Sequence, residues 1–222
     1  MQALRELSTV DRSLTYAQTR RFVYAAAGVV TIDQDIAHVG GTVWDAGVVL
    51  SHYLDSLGSA ALQGKRIIEL GAGTALPSIV SARLGAVVVA TDMSDVLPYT
   101  IAAIDGNCSP KTRRAIEAEE LIWGIHGIGL KALAQEHCDF IVAADVVYNA
   151  KHFAELQETF QALSTAGTRV LICFEQRRRD LAAFWASCEP YFSVALVSTP
   201  ILDTIRQEAK IYLYELTPRL VS

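Results

Sequence analysis

The chain has 222 residues, of which 51% are hydrophobic and 19% charged. That content supplies a sizeable buried core and excludes a disordered chain. The formal net charge of −5 argues against nucleic acid as the main partner, and the one obvious basic run is Arg177-Arg178-Arg179.

Residues 1–40 are weakly patterned and read as an N-terminal extension packing near the active site, with Val29–Ile32 as a short strand. Residues 41–222 read as a single domain. Within it, Asp45–Leu57 carries Val48, Val49, Leu50, Tyr53, Leu54 and Leu57 at helical spacing. From residue 65 a regular alternation begins. Arg66–Leu70 is a short apolar strand ending at Gly71, and Leu76–Leu84 is a helix with Pro77 tolerated in its first turn. Ala86–Ala90 is a second strand, closed by Thr91-Asp92. Val96–Ile104 is helical and stops near Gly106-Asn107. Ala115–Leu121 and Phe140–Ala144 are the third and fourth strands. Phe153–Leu163 is a helix with Gly167 as its stop, Arg169–Phe174 a fifth strand, and Leu181–Cys188 a helix. Tyr191–Val197 and Lys210–Leu216 are the last two strands, joined by a loop with no strong helix.

Strands alternating with helices predict right-handed crossovers and a mainly parallel sheet. The final pair of strands predicts a hairpin, hence one antiparallel strand at the C-terminal end. In such open sheets ligands bind beyond the carboxyl ends of the strands. Four ends are therefore candidates: Glu69–Gly73, Asp92, Leu121–Trp123 and Ala144–Tyr148.

The four cysteines include no C-x-x-C pair, so no zinc or dithiol motif is visible and no metal is expected. Cys138 and Cys173 lie in apolar runs and read as buried thiols, which points to a reducing, cytoplasmic setting. The charged start (Arg5, Glu6, Asp11, Arg12) lacks a signal core, and no apolar run is long enough to span a bilayer. No membrane partner is expected, and the chain is expected to be a monomer.

The strongest local signal is Glu69-Leu70-Gly71-Ala72-Gly73-Thr74. Its glycines permit a sharp turn and close approach of a ligand, and the following helix start offers free N–H groups. A dinucleotide fingerprint would have a third glycine where Leu76 stands. Glu69 would repel a pyrophosphate but attract an ammonium, which disfavours a nicotinamide dehydrogenase and favours S-adenosylmethionine. Asp92 is spaced to accept from ribose hydroxyls, or else to cap a helix, as Ser94 and Asp95 also could. Trp123 is an adenine-stacking candidate or plain core. Trp44 either walls the pocket or staples the first long helix to the sheet. Asp145 emerges from an apolar strand at the sheet's active edge. The small Ala144 before it leaves room for a bulky group, and Tyr148 follows.

Taken together, Thr42–Ala46 (TVWDA), Glu69–Pro77 (ELGAGTALP), Asp92, Leu121–Gly124 (LIWG) and Asp145–Tyr148 (DVVY) resemble the seven-β-strand enzymes of the methyltransferase-16 family, many of which are protein-lysine methyltransferases. In motif order the resemblance covers residues 29–217. It implies a Rossmann-like α/β fold: a seven-stranded, mostly parallel sheet with helices on both faces and a C-terminal antiparallel hairpin. It implies that Trp44, Glu69, Gly71, Gly73, Thr74, Asp92, Trp123 and Ala144 line an S-adenosylmethionine site, and that Asp145 and Tyr148 face a lysine amine of a protein substrate. Asp105–Arg114 and Phe174-Glu175-Gln176-Arg177 depart from the family pattern. An amine acceptor of small-molecule type and a non-catalytic cofactor-binding module are the competing readings.

Overall fold

The computed structural model describes residues 15–177 and 181–219; Arg178 and Arg179 of the basic run lie outside the described residues. The chain opens with an antiparallel hairpin, β1 (Thr19–Tyr24) and β2 (Gly28–Asp33). The sequence showed only part of β2. β1 was missed because its inward positions are Arg20, Phe22 and Tyr24, and a buried arginine breaks the alternation of apolar and polar residues. A short 3-10 turn, Val39–Gly41, then leads into α1, Asp45–Leu62. This helix runs past Leu57, with one non-helical residue, Gly58, at φ 70° and ψ 176°.

The main sheet has the order β5-β4-β3-β6-β7-β9-β8, formed by β3 (Arg66–Leu70), β4 (Val87–Asp92), β5 (Ile116–Glu120), β6 (Phe140–Ala144), β7 (Arg169–Glu175), β8 (Phe192–Leu196) and β9 (Ile211–Pro218). β5, β4, β3, β6 and β7 pair in parallel, whereas β9 is antiparallel to both neighbours. The expected seven-stranded sheet and its single antiparallel strand are therefore present. The long connections are α2 (Leu76–Arg83), α3 (Leu97–Asn107), α4 (Phe153–Leu163), α5 (Leu181–Cys188) and α6 (Pro200–Ala209), with single turns at Pro110–Arg113 and Leu130–Leu133.

α6 corrects the expectation of a helix-free loop between the last two strands. Its start is well specified, since Thr199 Oγ1 accepts from the Leu202 N–H and Pro200 takes the first helical position. Leu202 and Ile205 are buried on it, with Ile201 and Ala209 packed beside them; this stripe sits in a segment that is mostly polar, so a reading by apolar content passes over it.

Alternate residues along each strand feed two cores, one per face. Ile67, Val88, Ala90, Phe140, Val142, Leu171 and Cys173 pack with α1, α2, α3, α6 and the hairpin. Ile68, Leu70, Val89, Ile141, Ala143, Val170 and Ile172 pack under α4 and α5. Among the described residues no helix is long and apolar enough to cross a membrane, and all four cysteines are free thiols, Cys138 and Cys173 buried as expected.

The hairpin is fastened by specific polar contacts. Asp55 on α1 accepts from the backbone N–H groups of Ala25, Ala26 and Ala27 at 2.8–3.1 Å for the shortest contact of each. Arg83 at the end of α2 donates to the carbonyls of Ala27, Val29 and Asn107. Asp55 is only 7% exposed, so removing it orphans up to three donors. We expect Asp55→Ala to lower stability by about 2–3 kcal/mol, read as a drop in the urea midpoint at unchanged slope.

Candidate functional site

The strand order reverses between β3 and β6. From β3 the chain builds outward to β4 and β5; from β6 it builds the other way, to β7. The carboxyl ends of these two central strands therefore open into a crevice. A cleft of about 630 Å³ lies there. It brings together Trp44, Glu69, Gly71, Gly73, Thr74, Asp92, Trp123, Ala144, Asp145 and Tyr148, all ten of the residues singled out in the sequence.

After β3 the backbone turns through Gly71 (φ 67°), Gly73 (φ 52°) and Ala75 (φ 54°) into α2. The turn is cross-braced. The Gly73 N–H donates to Asp92 Oδ2 (2.8 Å), Thr100 Oγ1 donates to the Gly73 carbonyl (2.6 Å), and the Ala72 N–H donates to the Thr91 carbonyl (2.9 Å). A Cβ on Gly73 would stand 3.0 Å from the carbonyl oxygen of Gly40, and one on Gly71 would stand 3.0 Å from Val146 and 3.4 Å from Trp123. Both glycines are thus required by conformation and by space. The second contact also shows what Trp123 does: its indole edge closes over the β3 turn, with only partial burial.

Glu69 is 1% exposed at the floor of the cleft. Its Oε2 accepts from both the backbone N–H and the hydroxyl of Ser78 on α2. Burial nevertheless pushes its carboxyl up to about 8, so much of it is protonated at neutral pH. Asp92 is also held above the usual carboxylate range by burial, against the pull of the Gly73 and Met93 N–H groups. It caps no helix, since α3 begins after Val96; its two oxygens serve the glycine turn and Met93.

Asp145 occupies the opposite wall. It follows β6 directly and takes a left-handed conformation (φ 56°), which costs a non-glycine residue about 1–2 kcal/mol. Several bonds hold it there. Its N–H donates to the Cys173 carbonyl (2.8 Å), its Oδ1 accepts from the Glu175 N–H (3.0 Å), and its Oδ2 accepts from Arg177 Nη2 (2.9 Å). Burial raises its pKa, and the Arg177 guanidinium works in the opposite direction. The helix-cap alternative does not apply, because Asn149 caps the turn that precedes α4. Tyr148 stands at the rim, 55% exposed.

Trp44 walls the cleft and ties back to the 3-10 turn before it, rather than stapling the helix to the sheet. Its indole N–H donates to the Val39 carbonyl (3.1 Å), while its ring lies under the Arg177 guanidinium, 5.3 Å from the centroid. Arg20 positions this segment from β1 by donating to the Val43 carbonyl (2.7 Å) and lying beside Asp45 at 3.6 Å.

Several lining residues were not picked out in the sequence: His38, Met93, Asp95, Tyr99, His152, Glu155 and Arg177. Asp35 ties the first of these together, since its Oδ2 accepts from Tyr99 (3.0 Å) and lies 2.9 Å from His38 Nδ1. They come from loops and helix starts far apart in the chain, Tyr99 on α3 and Glu155 on α4 among them, and follow no motif. Among the charged side chains of a largely apolar lining, the acids Glu69, Asp92, Asp95, Asp145 and Glu155 outnumber Arg177, which suits a cationic ligand.

The chain matches the model of the methyltransferase-16 family, described as lysine methyltransferase, over residues 27–190. It belongs to that family. It is similar to a protein N-lysine methyltransferase, METTL21A, of Danio rerio (37% identity over 167 residues, 74% of this chain and 75% of the relative). The METTL21A of Mus musculus is 34% identical over 170 residues, 76% of each chain. In fold it is similar to a Thermus thermophilus 16S rRNA N2 G1207 methyltransferase solved with AdoMet and guanosine. That match has a TM-score of 0.60 and 18% identity, over 91% of this chain and 51% of the other. As a member of this family the chain is an S-adenosylmethionine-dependent methyltransferase.

The geometry of this methyltransferase fits that cofactor: the glycine turn leaves space where a side chain would intrude, and a buried carboxyl beside it can receive an ammonium. Two outcomes are expected. Gly73→Ala adds backbone strain and a clash of about 1–3 kcal/mol in all, and should weaken cofactor binding by tenfold or more in calorimetry. For Glu69 the sign is set by a folded pKa (about 8) above its ordinary 4.5. The stability it contributes is complete below about 4.5 and is lost as pH rises through about 8. The difference in urea midpoint between wild type and Glu69→Gln should therefore drift across that window. Binding of a ligand ammonium at pH 7 should release a proton, seen as a buffer-dependent enthalpy that the variant lacks.

Proposed function

We propose that this methyltransferase modifies the side-chain amine of a lysine in a protein substrate. The observation that carries the reading is Asp145, a 9% exposed carboxylate on the wall of the cleft opposite the glycine turn, held in a strained backbone conformation by bonds to Cys173 and Glu175 of β7. Strain maintained at such cost is characteristic of functional positions. The naming of the zebrafish and mouse relatives as protein N-lysine methyltransferases supports the same acceptor.

When bound, the cofactor supplies a methyl group on a positively charged sulfur. We assign Glu69 to its ammonium, Asp92 to its ribose hydroxyls, and Gly71, Gly73 and Thr74 to close backbone approach. Trp44, Trp123 and Ala144 wall the remainder. The acceptor must present a lone pair. A lysine amine has a pKa near 10.4, so freeing it at pH 7 costs about 4–5 kcal/mol. A half-dry cleft and a neighbouring positive charge both lower that cost. Asp145 accepts from the amine N–H and orients it, and Tyr148 sets its ring or hydroxyl against the nitrogen. Positioning, rather than strong base catalysis, is the main contribution, consistent with a carboxylate already engaged by a backbone N–H.

The reading extends to a monomeric enzyme of the cytoplasm, supported by four free thiols, with a protein as its partner. It also treats residues 1–40, of which 1–14 lie outside the described residues, as an extension serving the active site, supported by His38, Val39 and Gly40 in the lining of the cleft.

The test incubates the purified enzyme and labelled adenosylmethionine with a protein extract, followed by mass spectrometry of lysines. Label on protein lysine is expected, and label confined to small amines would overturn the acceptor. Asp145→Ala should lower transfer by about 100-fold or more while cofactor affinity, by calorimetry, stays within a few-fold. Near-normal turnover in that variant would defeat the assignment of Asp145.

A further inference from the structure

Arg177 is a cation already seated on the acceptor wall. Its Nη2 lies 2.9 Å from Asp145 Oδ2 and 2.9 Å from Glu175 Oε2, and its guanidinium carbon stands 5.3 Å from the centroid of the Trp44 ring. Two carboxylates and an aromatic face form a cage suited to any organic cation. A lysine ammonium arriving at Asp145 would meet the same groups. Asp145 does not need Arg177 for its placement, because the Cys173 carbonyl and the Glu175 N–H already fix its backbone and Oδ1. Arg177 itself reaches the surface, with a side chain 42% exposed on the short stretch after β7, so solvent can take over its donors when it leaves.

We propose that Arg177 occupies the acceptor-amine site as a removable surrogate, and that the incoming lysine displaces it from Asp145, Glu175 and Trp44. The inference rests on the lysine-acceptor reading above. A guanidinium retains its proton at any physiological pH and its nitrogen lone pairs are delocalised, so this resident cation is a far poorer methyl acceptor than a neutral lysine amine. It shields the buried carboxylate between turnovers and sets a threshold that only a competing cation crosses. The binding-competent fraction of the enzyme, and with it the apparent acceptor affinity, is reduced by Arg177.

The test uses the full chain carrying Arg177→Gln, with Arg177→Lys as the conservative control. Calorimetry with adenosylmethionine first establishes that the cofactor still binds. Melting temperature is then measured with n-butylamine hydrochloride, a probe for the lysine side chain, against sodium chloride at equal ionic strength. We expect butylammonium to raise the melting temperature of Arg177→Gln and leave wild type unmoved, with the effect lost in Arg177→Gln/Asp145→Asn. Initial rates over a dilution series of protein extract should show half-saturation falling about five-fold in Arg177→Gln, with the saturating rate retained and Arg177→Lys closer to wild type. A butylammonium response equal in wild type and variant, or a saturating rate that collapses at unchanged half-saturation, would overturn the proposal; the second result would make Arg177 a support for Asp145. Should wild type label no protein at all, the lysine reading fails, while the melting series still decides what Arg177 occupies.

Discussion

The molecule depends on one topological constraint, the reversal of strand order between β3 and β6. Crossover connections cover the ends of parallel strands wherever the chain builds in a single direction. Only where the direction changes do two adjacent strands send their connections to opposite faces. Here the glycine turn leaves β3 towards α2, while Asp145 leaves β6 towards α4. Between them lies a crevice that no connection fills. The turn at Gly71–Gly73, the carboxylates of Glu69 and Asp92, and the strained backbone of Asp145 are all local answers to being at that opening.

The charge in the crevice is equally constrained. Glu69, Asp92 and Asp145 each have their pKa raised by burial, so the site holds its acids under a desolvation penalty. Backbone N–H groups, the Ser78 hydroxyl and Arg177 relieve only part of it. A ligand carrying positive charge relieves the rest, which gives a physical reason for a methyltransferase with a sulfonium cofactor and an amine acceptor to concentrate acids here. The same penalty explains why Asp145 is paired with an arginine and not left bare.

Much of this was legible in the sequence. Short apolar runs ended by Gly71, Asp92 and Asp145 marked three of the five parallel strands, and the spacing of Glu69, Gly71, Gly73 and Asp92 predicted a turn and an acid that the fold brings within one hydrogen bond of each other. The failures have physical causes. β1 hides a buried Arg20 at an inward position, α6 carries its apolar stripe in a mostly polar segment, and α1 continues past Leu57 through Gly58. Arg177 could be seen only as part of a basic run. Its meeting with Asp145 and Trp44 joins three segments separated by long stretches of chain, and no local pattern encodes such a meeting.

The position of β9 has a consequence for how the fold is acquired. This strand is inserted between β7 and β8 although it follows both in sequence. Until residues 211–218 are available, β7 presents an open hydrogen-bonding edge and β8 has nothing to pair with. A nascent polypeptide lacking that segment therefore displays an apolar ladder to its surroundings, the kind of surface that invites misassembly and chaperone capture. Synthesis of the final strand is thus the event that seals the sheet.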